Sequence, residues 1–152
     1  MNRRFFGCVL LAALAGCSGA GVSSTDLREK VSGEVAQVVI NLEQLGPWIS
    51  EGSVTFAQLN TRLTAVQSRV AANHAAGFTV PDLHDLRRFY SSPDGQAVTA
   101  LAYAAEGGRA RPPMDAEQFA RVEAAFNNPV IAKSVSILRD MLRQAFTAEF
   151  SF

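Results

Sequence analysis

The chain has 152 residues, with 14 basic and 14 acidic side chains, 48% apolar residues and two cysteines, which is room for one domain with a real hydrophobic core. Balanced charge gives no electrostatic footprint for nucleic acid. Both cysteines, Cys8 and Cys17, lie near the start, so the body of the chain has neither a disulfide framework nor a zinc site, and its stability must come from packing.

Arg3 and Arg4 open the sequence, and an apolar run of about 11 residues follows from Phe5 to Ala15, the layout of an export leader and too short for a membrane-spanning helix of about 20. The run ends in Leu14, Ala15, Gly16 and Cys17, which resembles the lipobox of bacterial lipoprotein precursors. That resemblance implies cleavage between Gly16 and Cys17 and lipidation of the Cys17 sulfur. Residues 1–16 then read as signal peptide, 17–24 as a tether and 25–152 as a single helical domain. Loss of Arg3 and Arg4 with the leader leaves the remainder slightly acidic. Ser18 stands where, in the Gram-negative sorting rule, an aspartate would mark retention in the inner membrane, so the resemblance implies an outer-membrane lipoprotein with its domain facing the periplasm. The small and polar residues before Thr25 give a reach of roughly 15 Å, which keeps the domain near the lipid surface.

From Thr25 onward Leu27, Val31, Val35, Val38, Leu42 and Leu45 step by three or four, predicting one helix that Gly46 and Pro47 end. Thr55 and Gln58 form a capping-box pair before a second helix carrying Phe56, Leu59, Leu63, Val66 and Val70, with Gly77 at its end. Pro81 suits the first turn of a third, with Leu83, Leu86 and Phe89 or Tyr90 inward. Ser92 before Pro93 restarts the chain as a fourth helix through Val98 and Leu101, because the serine oxygen caps free amides and proline needs no amide partner there. Residues 106–113, rich in glycine and proline, predict a linker. Asp115 caps a fifth helix with Phe119, Val122 and Phe126 at helical spacing. Asn128 and Pro129 then open a last one with Ile131, Val135, Leu138 and Leu142. No strand pattern competes, and the expected fold is all-α, a small bundle of five to six amphipathic helices.

Leu83, Leu86, Tyr90, Pro93 and Leu101 each have a counterpart 36 residues on, in Phe119, Val122, Phe126, Pro129 and Ile137, the mark of two similar helix pairs. The first pair, with Phe89, Tyr90, Ser92, Pro93 and Gly95, resembles the signature of the bacterial family called domain of unknown function 2059. The likeness is densest from Leu83 to Leu101, extends over residues 80–150, and lacks the glycine in its second copy. It implies an exported helical domain and no known activity. Physically, Gly95 after the Ser-Pro step is where a neighbouring backbone can approach closely.

No catalytic residue, metal ligand or cofactor is assigned. His74 and His84 are the only histidines, ten residues apart and without a metal-binding motif. His84 and Asp85 are helix neighbours pointing about 100° apart. Trp48, Phe146, Phe150 and Phe152 are aromatic residues expected to close over the core, or else to meet lipid or a partner. The leading expectation is a non-enzymatic envelope lipoprotein, an interaction or scaffolding module meeting another envelope protein or its own copies. The alternatives are a module holding a lipid or other apolar ligand between its helices, favoured if the interior leaves room, and an envelope enzyme built around His74, His84 and Asp85.

Overall fold

A computed structural model of the chain describes residues 23–45 and 55–148. The leader, Gly16, Cys17, Gly46, Pro47, Trp48, Phe150 and Phe152 lie outside these. All regular structure among the described residues is helical: α1 (Ser24–Val39), α2 (Leu42–Leu45), α3 (Phe56–Gly77), α4 (Val80–Tyr90), α5 (Pro93–Glu106), α6 (Ala116–Ala125) and α7 (Pro129–Ala148). The fold is a small all-α bundle. Helix α1 lies on α3 and α4, α7 lies on α5 and α3, and α5 links α4 to α6. One continuous core joins Val31, Val66, Leu86, Val98 and Leu138 across five of these helices.

Side-chain caps set most of the helix starts. Ser23, Thr55 and Thr79 each accept from the backbone three residues on, and Asp26, Gln58 and Asp82 return the bond, three reciprocal capping boxes. Ser92 and Asp115 cap α5 and α6 in the same way without the returning side chain. Asn128 Oδ1 accepts from the amides of Val130 at 2.9 Å and Ile131 at 3.4 Å. Helix α1 therefore begins at Ser24, inside the stretch expected to be tether, because Ser23 and Asp26 already supply a complete cap.

The single helix expected from Thr25 to Leu45 is broken at Ile40 and Asn41. Its last carbonyls find partners in side chains: Asn41 Nδ2 donates to Val38 O at 2.8 Å, Tyr103 Oη to Val39 O at 3.1 Å and Gln67 Nε2 to Ile40 O at 2.7 Å. Asn41 Oδ1 then accepts from the Gln44 amide and starts α2. Three polar side chains, two of them from distant helices, thus end α1 before any glycine does. The break turns Val39, Ile40 and Leu45 into the core, while Val38 and Leu42 are half-buried.

The linker runs from Gly107 to Asp115, slightly later than the composition indicates, since α5 keeps Glu106 in its last turn. Gly108 takes φ +68°, and the Arg109 amide reaches back to Ala104 O at 3.0 Å, so the helix closes on a left-handed residue for which glycine carries no steric cost. Glu106 is pinned beneath this turn by Arg139 at 2.7 Å and Arg143 at 3.0 Å, both from α7. Burial acts to raise the Glu106 carboxyl, but these two guanidinium hydrogen bonds outweigh it and hold it below its ordinary range.

A larger departure concerns α6. Phe119, Val122 and Phe126 share one face, as their spacing requires, yet only Val122 is buried; Phe119 and Phe126 are 40% and 41% exposed. The helix rests mainly on α5 and contributes a single residue to the core.

Candidate functional site: a buried relay and an arginine-rimmed cleft

The polar residues inside the bundle converge on one point. His74 continues the buried stripe of α3 beyond Leu63, Val66 and Val70, and is itself fully buried, as are Tyr90 at the end of α4 and Ser134 in the second turn of α7. His74 Nδ1 lies 2.9 Å from Val70 O, His74 Nε2 lies 2.8 Å from Ser134 Oγ, and Ser134 Oγ lies 2.9 Å from Tyr90 Oη. A carbonyl only accepts, so Nδ1 carries the proton. Burial pushes the imidazole below its usual value and keeps it neutral, which makes Nε2 an acceptor. The order of donation follows: Tyr90 to Ser134, Ser134 to His74, His74 to Val70. Burial also raises the Tyr90 phenol to about 12, although its bond to Ser134 acts the other way.

In outline this is a serine beside a base, the pairing that activates a hydroxyl nucleophile. All three side chains, however, are sealed from solvent, and Phe78 stacks on the imidazole at 5.5 Å between ring centres. The relay joins α3, α4 and α7 with every polar atom partnered, which is how a buried network fixes helix register. The trio His74, His84 and Asp85 is not brought together: His84 and Asp85 are exposed on α4, and Asp85 pairs with Arg88 at 3.2 Å. Among the described residues no group of three or more histidine, cysteine or acidic side chains is placed to hold a metal ion.

The step from α4 to α5 is built around Gly95. A Cβ placed there would fall 2.0 Å from Phe89 O and 2.6 Å from Tyr90 Cα. Ser92 Oγ donates to Phe89 O at 2.6 Å and accepts from the Gly95 amide at 3.2 Å, and Gln96 Nε2 donates to Tyr90 O. Phe89, Tyr90, Ser92, Pro93 and Gly95 together form a tight corner that holds Tyr90 in the relay.

Solvent reaches a different place. Between α5, α6 and α7 lies a cleft of about 340 Å³. Buried Val98, Ala102 and Val135 form its floor, and Phe126 of the α6–α7 corner forms one side. Arg109 and Arg111 from the linker and Arg139 from α7 stand at its mouth, all exposed. The Arg111 guanidinium also sits 5.6 Å from the centre of the Phe119 ring. A second hollow of about 200 Å³ adjoins it at Phe126, Val135 and Arg139, with Ser136, Asp140 and Arg143 around it. Apolar walls with a few cations at the opening suit an apolar ligand oriented by a negative group.

The fold and these features define a small helical protein with a sealed polar relay inside its apolar core and an apolar cleft open to solvent. No family model matches the chain, and no curated protein or solved structure matches it either. No helix among the described residues is long and apolar enough to cross a membrane.

The sequence pointed to the corner residues but not to the relay or the cleft. Two signals for the relay were present: His74 stands four residues after Val70, and Ser134 four before Leu138, each in register with its helix's buried stripe.

Proposed function

We propose that the chain is a lipid-anchored, non-enzymatic envelope protein that works by binding, and that the cleft between α5, α6 and α7 is its binding site. The observation that carries this reading is the cleft itself: an apolar, solvent-reached space beside a core whose His74, Ser134 and Tyr90 are hydrogen-bonded to one another and sealed from solvent. At about 340 Å³ it has the scale of a small-ligand site, roughly 300–1,000 Å³, rather than that of a protein interface. This favours the apolar-ligand reading over the scaffolding one. The interior of the bundle is filled by side chains, so the ligand would lie at its edge.

The leader and Cys17 support anchoring through lipid, and Ser18 supports the outer membrane with the domain in the periplasm. The likeness of Leu83–Leu101 to domain of unknown function 2059 fits an exported helical domain. Docking of another envelope protein is the second reading, favoured by the half-exposed rings of Phe119 and Phe126.

Intact-mass analysis and membrane fractionation of the native protein beside Cys17→Ala test the anchor. Acyl mass and membrane association are expected in the native form and lost in the variant; two soluble, lipid-free forms would remove the anchoring proposal. Native mass spectrometry of Cys17→Ala then asks whether a small apolar molecule travels with the domain.

A further inference from the structure

The two helix pairs share their spacing of 36 residues but close differently, and the cleft lies beside the second, at Phe126. In the first pair Gly95 lets the Phe89 carbonyl come against α5, and Tyr90 is buried. Thirty-six residues on, Ile131 replaces the glycine and Phe126 replaces the tyrosine. A branched side chain at that corner cannot admit the backbone approach, α6 rests on α5 instead of on α7, and Phe126 stays 41% exposed. The position that is filled and sealed in the first pair is open in the second.

Chemistry narrows what fills it. Three guanidinium groups line the cleft and no acidic side chain does; Arg139 is already paired with Glu106, and the two linker arginines, Arg109 and Arg111, bring positive charge to the mouth. The occupant therefore carries negative charge at the mouth. A peptide would bring an amide donor and acceptor with each residue, and the side chains of the floor, Val98, Ala102 and Val135, offer those groups no polar partner. An acyl chain needs none. The small volume takes one chain rather than the two of a phospholipid.

Resting on the binding reading above, we propose that the cleft takes a free fatty acid, with the chain along α5 and α7, the carboxylate against Arg109 and Arg111, and α6 closing over it to bury Phe126. Helix α6 is suited to that movement because Val122 is its one buried residue.

The test uses the full chain as Cys17→Ala, so that no covalently attached acyl chain competes, with three probes of equal length below their micelle-forming concentrations: myristate, tetradecanol and tetradecyltrimethylammonium. Calorimetry should show one myristate bound per chain, about tenfold more tightly than the alcohol, with the cation weakest, as a charge-assisted contact implies. Amide exchange across α6 should slow on binding. Ala105→Trp, at an exposed position lining the cleft, should weaken myristate at least about tenfold while leaving the melting temperature unchanged. Arg109→Gln with Arg111→Gln should remove the preference for myristate over the alcohol. If the alcohol binds as well as myristate and Ala105→Trp blocks both, the cleft is a binding site and the fatty-acid proposal falls. If none of the three binds, or if Ala105→Trp changes nothing, the proposal falls together with the reading beneath it.

Discussion

At Ser134 a single hydroxyl serves two neighbours, accepting from Tyr90 and donating to His74, so its removal costs more than removal of either end. Ser134→Ala leaves the imidazole Nε2 and the Tyr90 hydroxyl both unpartnered in a dry interior, an expected loss of about 2–4 kcal/mol at 1–3 kcal/mol for each stranded group. Tyr90→Phe takes away one donor and leaves Ser134 still donating to His74, so about 1 kcal/mol is expected. Urea denaturation of the two variants, with unchanged dependence on denaturant, checks the order. Equal losses would mean that the hydroxyls donate in another sequence. His74 and Ser134 are each in register with the buried stripe of their helix, but their meeting depends on α3 and α7 crossing at that level. Sixty residues separate them, and no local pattern encodes the crossing.

Between elements, the α4–α5 corner is the part of the fold with least tolerance. A methyl group at Gly95 would overlap the Phe89 carbonyl and the Tyr90 backbone, and backbone cannot rotate aside as a side-chain tip does. Gly95→Ala is therefore expected to destabilise the domain by about 1–3 kcal/mol, the range for overpacking. Thermal unfolding measures it, and an unchanged midpoint would contradict the geometry. The close approach was legible in the sequence, because a glycine two residues after a Ser-Pro cap serves little other purpose in a helix. The break in α1 was not legible. Periodicity runs unbroken from Leu27 to Leu45, and the carbonyl partners that stop the helix include Tyr103 and Gln67, which lie far along the chain. The open face of α6 was equally hidden, since Phe119, Val122 and Phe126 have the spacing of a buried stripe, and whether a neighbour covers them depends on how the next corner closes.

For the molecule as a whole, the relay ties stability to pH. Burial lowers the His74 pKa from its ordinary 6.5, outweighing the bond to Val70. Around it, Phe78 stacks on the ring, Tyr90 and Ser134 supply hydroxyls, and Lys133, which stands over the Phe78 ring, donates to Gly77 O at 2.7 Å. No acidic group among its hydrogen-bond and ring partners compensates a charge there. Below pH 6.5 the unfolded chain takes up a proton that the folded chain refuses, so stability is fully present above that value and is lost as pH falls below it, at up to about 1.4 kcal/mol per pH unit. His74→Gln keeps an acceptor for Ser134 without a titrating ring, and should be flatter than the wild type between pH 7 and 5 in chemical denaturation. Parallel curves would assign the pH dependence to other groups.

The helices themselves follow from the sequence: apolar spacing of three and four, side-chain caps at Thr55, Ser92, Asp115 and Asn128, and prolines at the openings suffice because each acts within one or two turns of chain. The expectation of a lipid-bearing Cys17 has the same local character. Tertiary structure alone decided that His74, Ser134 and Tyr90 meet and are sealed, that α1 stops at Val39, and that Phe126 borders an open cleft beneath three arginines. Each of these depends on which distant side chain arrives to satisfy a polar group or cover an apolar one, and that is set by the packing of whole helices rather than by any run of neighbouring residues.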